Sequence, residues 1–347
     1  MRIAYWTTAS LEANIEAVSK EVFDLARHFE GSAVFGVSPH VLLRFGSAPI
    51  HVAVHRSLDP LLRLVVPTVE RLVRVNHVYS EIGPWLYQKT LRRKPTVLTI
   101  ASEKGDINPA YLDHVDAITV QTESMLDRLS RVERWRKKSS LVYPGVDLER
   151  FRPVQTTTPS SSASPKVLFA TFPRAREEIE PRGVTLLLEL ARCNPDVQFD
   201  LLTRPWARGD TASSFVRSLV EHRRLGNVRL LEGQRQRMEN LYREYAFTVI
   251  PYTVADGGKE CPLSLVEGLA CGIPVLISAA APFAKFVSEN ACGVVFHPDP
   301  GSFRVAVEAG LSGYEGYRTA AVATATAMFD RRAVFRRFAA LYDALDP

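Results

Sequence analysis

Short β-branched and aromatic runs alternate along the chain with segments whose apolar positions recur every three to four residues. In the first part the runs are MRIAYWTT (1–8), SAVFGVS (32–38), IHVAVH (50–55), LVRVNHVYS (72–80), PTVLTIAS (95–102) and AITVQ (117–121). Each is short and nearly continuous in apolar character, as expected of strands covered on both faces. Between them, Ile15, Val18, Val22, Phe23, Leu25 and Ala26 fall on one side of a predicted helix. GPWLYQKTLRRK (83–94) and SMLDRLSRVERWRKK (124–138) are further predicted helices.

The pattern breaks at QTTTPSSSASP (155–165), which has almost nothing apolar to bury and reads as a linker. A second alternating series follows. KVLFATF (166–172), VQFDLLT (197–203), NVRLLEG (227–233), FTVIPYT (247–253), IPVLIS (273–278) and GVVFH (293–297) are predicted strands. Helices are expected over 183–193, 213–224, 238–246 and 263–272. The fold class is therefore α/β, with domains at 1–152 and 166–326 and a linker at 153–165. A ligand is expected in a cleft at the carboxyl ends of the strands. The last segment, 327–347, is amphipathic: Val334, Phe335, Phe338, Leu341 and Tyr342 form an apolar stripe beside Arg331, Arg332, Arg336 and Arg337. That stripe requires a partner surface.

Composition agrees with a globular protein, at 46% hydrophobic and 23% charged residues. The N-terminus lacks the basic start and long apolar core of a signal peptide, and no run approaches the roughly 20 apolar residues of a membrane span. The cytoplasm is the expected location. Cys193, Cys261, Cys271 and Cys292 form no metal-ligand spacing, so buried, reduced thiols are expected and a metal site is not. The net charge of +5 suits a polyanionic partner, but no nucleic-acid-binding motif accompanies it. LRRK (91–94) and RVERWRKK (131–138) are basic stretches that read either as a solvated charged face or as a surface for peripheral contact with an anionic membrane.

The chemistry concentrates in PYTVADGGKECPLSLVEGLACGIPVLIS (251–278), which reads as strand, loop, helix, turn, strand. Asp256, Gly257 and Gly258 allow a tight loop, and Pro262 suits the first turn of a helix starting near Cys261–Leu263. A helix start behind glycines is an anion site, to which Ser264 adds a hydroxyl. Glu267 lies one turn after Leu263, where a carboxylate would accept hydrogen bonds from neutral sugar hydroxyls.

This stretch resembles the donor-binding signature of the retaining GT-B glycosyltransferases usually called family 4, with its paired glutamates and A-x-G-x-P-V turn. VYPGVDLERFRP (142–153) resembles the interdomain signature, HVDAITVQTESM (114–125) the segment before it, and LFATFPRAREEIEPRGVTLLLELA (168–191) the first strand and phosphate-gripping loop of the C-terminal domain. NACGVVFHPDP and FDRRAVFRRFAALYDAL resemble the late loop and the closing helix. The resemblance implies a GT-B fold: two Rossmann-like α/β/α domains facing each other across a cleft, the first for the acceptor and the second for the donor. The C-terminal helix would cross back to the N-terminal domain.

It also implies roles. Arg182 stands where the family has a lysine, and would stabilise the charge on the leaving diphosphate. Its partner is Arg174 or Arg176; Arg176 reads as a surface arginine, which leaves Arg174. Gly258, Pro262, Leu263 and Ser264 would line the donor phosphates, and Glu267 would hold the ribose. The first glutamate of the pair falls on Lys259, with Glu260 beside it, so either Glu260 contacts the donor sugar or Lys259 replaces the acid. The family's glycines after the first strand are absent from TTASLEANIEA, although Asn14-Ile15-Glu16 resembles its helix start, and its histidine is replaced by Ala101. His77, one strand earlier, reads as structural.

The implied reaction moves a sugar from a nucleoside diphosphate sugar to the hydroxyl of a glycan or lipid-linked acceptor, with retention of configuration and without metal or cofactor. Two other readings stay open. One is a catalytically silent GT-B protein that binds a glycan or assists a partner transferase. The other is a nucleotide-sugar epimerase of the same fold.

Overall fold

The computed structural model describes residues 2–10, 17–38, 42–44, 49–55, 62–79, 93–101, 109–153, 164–203, 211–232 and 237–345. Most of the helix expected over 83–94, the loop 11–16 with Asn14, Ile15 and Glu16, and most of the linker lie outside these residues. The chain forms two units. One comprises residues 1–145 with 332–347, the other residues 146–331.

The first unit is built on an eight-stranded sheet: β1 (Ile3–Ser10), β2 (Ala33–Ser38), β3 (Leu42–Arg44), β4 (Ile50–His55), β5 (Val75–Tyr79), β6 (Thr96–Ile100), β7 (Ala117–Val120) and β8 (Ser139–Leu141). Their spatial order is β3-β4-β2-β1-β5-β6-β7-β8. All neighbours are parallel except β3 and β4. Successive residues feed opposite faces. Ile3 and Tyr5 join one apolar layer with the helix Ala17–His28, while Ala4 and Trp6 join another with Val66, Leu112, Met125 and Leu129. Both faces are covered, which explains the near-continuous apolar strands.

The helix Arg331–Leu345 completes the first of these layers, burying Val334, Phe335, Phe338 and Tyr342. Phe335 stacks on His28 at 4.3 Å, and Phe29 meets Tyr342 edge-on. The amphipathic stripe thus finds its partner in the N-terminal unit.

The second unit has six parallel strands: β9 (Lys166–Phe169), β10 (Gln198–Leu202), β11 (Val228–Leu231), β12 (Phe247–Ile250), β13 (Val275–Ser278) and β14 (Gly293–Phe296). Their order is β11-β10-β9-β12-β13-β14. The strand order reverses between β9 and β12, which pair in parallel with Phe247 opposite Val167. In open α/β sheets ligands bind at the carboxyl ends of the strands at such a switch point. The helices Val184–Cys193, Ala212–His222 and Pro300–Ser312 share one large core with β9 and β10.

Residues Val146 to Pro153 cluster with the second unit. The Val146 N–H donates to the Phe329 carbonyl at 2.7 Å, and the Arg331 N–H donates to the Val146 carbonyl at 3.0 Å. Asp147 adds an ion pair to Arg331 at 2.9 Å. The two places where the chain passes between units are therefore hydrogen-bonded to each other.

One expectation fails. Cys261, Cys271 and Cys292 are buried thiols, but Cys193 is exposed. It ends its helix on the side of Glu189 and Arg192, facing away from the layer formed by Leu187, Leu190 and Ala191.

Candidate functional site

β9 and β12 run side by side and end together, at Phe169 and Ile250. Two loops leave these ends and are tied to one another. The Thr253 N–H donates to the Pro181 carbonyl at 3.1 Å, and the Thr253 hydroxyl donates to the Glu180 carbonyl at 2.8 Å. Gly183 has a φ of 74° and caps the helix Val184–Cys193. A side chain there would meet the Pro251 carbonyl at 1.7 Å. Only glycine permits both the left-handed backbone and this approach. Gly257 is as tight, with the Pro181 carbonyl 2.2 Å from where its Cβ would sit. The Arg182–Gly183 turn and the Pro251–Gly258 loop, more than sixty residues apart in the sequence, form one rigid rim at the switch point.

Arg182 projects from this rim. Its Nη1 donates to the Thr171 carbonyl at 3.1 Å, just beyond β9, and its Nε lies 3.6 Å from the Glu178 carboxylate. Glu178 also accepts from the Arg174 N–H at 3.0 Å. The Arg174 carbonyl in turn accepts from the Thr211 N–H, so this loop is anchored to the start of the helix Ala212–His222. The Arg176 guanidinium lies 3.9 Å from the centre of the Phe215 ring. That contact keeps it on the outer surface, as the sequence suggests.

The helix Leu263–Ala270 is buried at every residue. Pro262 is its N-cap, with φ −67° and ψ 136°, one position earlier than the first-turn placement expected from sequence. The first N–H groups of a helix have no intrahelical acceptor and carry its positive dipole end. Ser264, in that first turn, is 8% exposed, and its Oγ has no hydrogen-bond partner among the described residues. The Thr171 hydroxyl is in the same state on the neighbouring strand end. Buried hydroxyls are normally satisfied, so two such groups at a switch point mark a surface built for polar contact. Gly258 packs against Tyr252, whose hydroxyl is 2.4 Å from where a Cβ would stand. Lys259 and Glu260 follow, both half-buried. Glu267 is 6% exposed and accepts a hydrogen bond at 3.0 Å from the hydroxyl of Tyr242.

All nine residues named from the sequence therefore lie in the second unit, on the segments leaving β9 and β12. Thr171, Glu178, Tyr242 and Tyr252 were not foreseen. Thr171 carried no signal because the predicted strand runs to Phe172, whereas β9 ends at Phe169. Among the described residues no group of three or more His, Cys, Asp or Glu side chains is arranged to hold a metal ion.

In the first unit, Ala101 is buried at the end of β6 within the apolar layer. His77 is fully buried; its Nδ1 lies 2.6 Å from Tyr342 Oη and its Nε2 lies 2.6 Å from Thr99 Oγ1. Burial pushes its pKa down to about 3. In the basic stretch 131–138, Arg134 and Trp135 both reach Asp113, and Arg136 and Lys137 pair with Glu133.

The fold is that of the GT-B glycosyltransferases. Residues 186–312, which include the helix Leu263–Ala270, match the family model described as Glycosyl transferases group 1. Among solved structures, the chain is similar to a glycosyltransferase from Rickettsia africae, with 14% identity, a TM-score of 0.75 and coverage of 99% of this chain and 98% of that one. It is similar to sucrose-phosphate synthase from Thermosynechococcus elongatus, with 18% identity, a TM-score of 0.74 and 99% coverage of both chains. Anabaena HepE in complex with UDP-glucose gives 15% identity and a TM-score of 0.73, covering 99% of this chain and 100% of that one. No curated protein matches the sequence at a significant level.

Proposed function

We propose that this protein is a retaining, metal-independent glycosyltransferase that takes a sugar from a nucleoside diphosphate sugar and passes it to the hydroxyl of a glycan or lipid-linked acceptor. The observation that supports this reading is the rim at the β9/β12 switch point, which carries Arg182, followed along the chain by the buried helix with the unpartnered Ser264 hydroxyl in its first turn and Glu267 one turn on. Arg182, with Arg174, stabilises the negative charge that grows on the leaving diphosphate, and the helix N–H groups and Ser264 bind its oxygens. Glu267 accepts from the ribose hydroxyls. Glu260 contacts the donor sugar, with Lys259 beside it. These groups fix the donor and its leaving group, so the acceptor hydroxyl needs alignment rather than a protein nucleophile.

A thermal-shift screen against UDP, ADP, GDP and their sugars tests the donor site. A ligand at one hundred times its Kd adds about 2.7 kcal/mol to the stability of a folded state that alone binds it. The expected result is a clear rise with one nucleotide, followed by release of that nucleoside diphosphate on turnover. No response to any of them would sink the reading.

Ala101 favours a second reading, a catalytically silent binder, because a buried methyl group stands where the resembled family has its histidine. Donor hydrolysis or transfer by the purified protein dismisses it.

No helix among the described residues is long and apolar enough to cross a membrane. The proposed setting is cytoplasmic, with peripheral contact to anionic lipid through residues 131–138, where Arg134, Arg136 and Lys137 keep 58% or more of their side chains exposed. Sedimentation that does not respond to the anionic lipid content of liposomes would remove that contact.

A further inference from the structure

Tyr242 is a buried polar side chain at this site to which the proposed reaction gives no role. It ends the short helix Met238–Tyr242 and is 0% exposed. Its ring packs against Phe151, with centroids 6.3 Å apart. Its helix is tied near both ends to one segment: Glu239 pairs with Arg150 at 2.9 Å, and Arg243, the residue after Tyr242, donates to the Arg152 carbonyl at 3.0 Å. A ring fixed in this way presents its hydroxyl in one place, and that place is 3.0 Å from Oε2 of Glu267.

A glutamate has three rotatable side-chain bonds, and a carboxylate that recognises vicinal hydroxyls must hold one plane. Helix packing fixes the first bonds of Glu267, because the whole helix is buried. It does not fix the last one, whose rotation is broad for a carboxylate. A phenol donating to one oxygen supplies that constraint from the side of the helix Met238–Tyr242.

We propose that Tyr242 is a positioning residue that orients the Glu267 carboxylate for the ribose hydroxyls of the nucleotide donor. The inference rests on the donor-site reading of Glu267 and names a second residue on which nucleotide recognition depends. Tyr242 does not touch the ligand itself. Its effect is confined to the part of the affinity that ribose hydroxyls contribute.

The test compares wild type, Tyr242→Phe and Glu267→Gln by calorimetric titration. The probes are UDP, ADP and GDP, each beside its 2′,3′-dideoxy analogue, with inorganic pyrophosphate as a ligand lacking ribose. Tyr242→Phe removes one oxygen from a buried ring and keeps its shape. The expected result is a loss of about fivefold to tenfold in nucleoside diphosphate affinity, the worth of one ordinary hydrogen bond. The dideoxy analogue and pyrophosphate should bind the variant as they bind wild type. A Tyr242→Phe protein that loses affinity equally for all three ligand types, or for none, overturns the inference. If Glu267→Gln abolishes discrimination between ribose and dideoxyribose while Tyr242→Phe does not, only the role of Tyr242 falls. If neither variant changes that discrimination, or no nucleotide binds wild type, the assignment of Glu267 falls with it. Melting temperatures of the variants report packing separately, and a purely structural tyrosine would move those alone.

Discussion

The hydroxyl of Tyr342 lies 2.6 Å from Nδ1 of His77, although 265 residues separate them in the chain. The opposite ring nitrogen meets Thr99 Oγ1 at 2.6 Å, and Thr99 meets Thr119 at 2.6 Å. A neutral imidazole has one donor and one acceptor, and two hydroxyls satisfy both. Burial holds the ring neutral in the folded protein, with a pKa near 3 against 6.5 for an ordinary histidine. Between those values the unfolded chain carries a proton that the folded one does not, so stability falls as pH drops below about 6.5. The slope from this single group is at most about 1.4 kcal/mol per pH unit. Denaturant unfolding from pH 7.5 to 4.5 should show a shallower loss in His77→Asn than in wild type. Parallel curves would mean that the ring is protonated when folded.

Arg182 and Glu178 should behave as a coupled pair. Arg182→Ala is expected to lower turnover by about 10²–10³, as loss of a group that stabilises transition-state charge does. Arg182→Lys should fall between, since it keeps the charge and loses the planar fork. Glu178→Ala should cost less than Arg182→Ala, and the double variant should cost less than the sum of the two, because both act through one contact. Additive effects in kcat/KM would show that Glu178 does not position the arginine.

Lys259 and Glu260 separate by ligand. Glu260→Ala is expected to reduce transfer while leaving the affinity for the bare nucleoside diphosphate within about twofold, because its proposed partner is the sugar. Lys259→Ala should lower affinity for both if Lys259 faces phosphate, and for the sugar nucleotide alone if it faces an acidic sugar. Unchanged binding and turnover in both variants would remove both residues from the site.

Gly183→Ala should destabilise the second unit by about 3 kcal/mol or more, since the new methyl group would strike a carbonyl in a left-handed turn. Gly226→Ala is the control, with nothing within 4 Å of its added Cβ. It should change the melting temperature little. Similar effects at the two positions would deny the close approach of Gly183 to Pro251.

Thiol titration of the native protein should show one fast cysteine. Cys193 is exposed, whereas burial pushes the Cys271 and Cys292 thiols up to about 12. Cys193→Ser should abolish the fast phase.

The strands were legible because both sheets are covered on two faces, which leaves near-continuous runs such as TVLTI and VLIS. The three-residue strands β3 and β8 were not, since so short a span carries no period. The helix Tyr314–Met328 also escaped, because YEGYRTAAVATATAM buries only Tyr314, Ala321, Thr324 and Ala325 and so shows little amphipathic contrast. The proposed donor residues Gly258, Ser264 and Glu267 come from one contiguous stretch. Glu178 and Tyr242 could not be read in this way, because their contacts with Arg182 and Glu267 depend on how separate loops and helices pack. Cys193 was misjudged on residue type, when its side of the helix decided the matter.

The hydrogen-bonded double crossing at Val146 and Arg331 makes the second unit an insertion within the first. As the chain leaves the ribosome, the first unit must wait through the whole of residues 146–331 before the helix Arg331–Leu345 appears. Until then the layer around Phe29, Tyr5 and His77 lacks its lid, while the second unit already has every strand it needs. The order of synthesis and the order of completion are thus reversed: the half that is made first is finished last. Truncation just after Arg331 would therefore damage the first unit and spare the second.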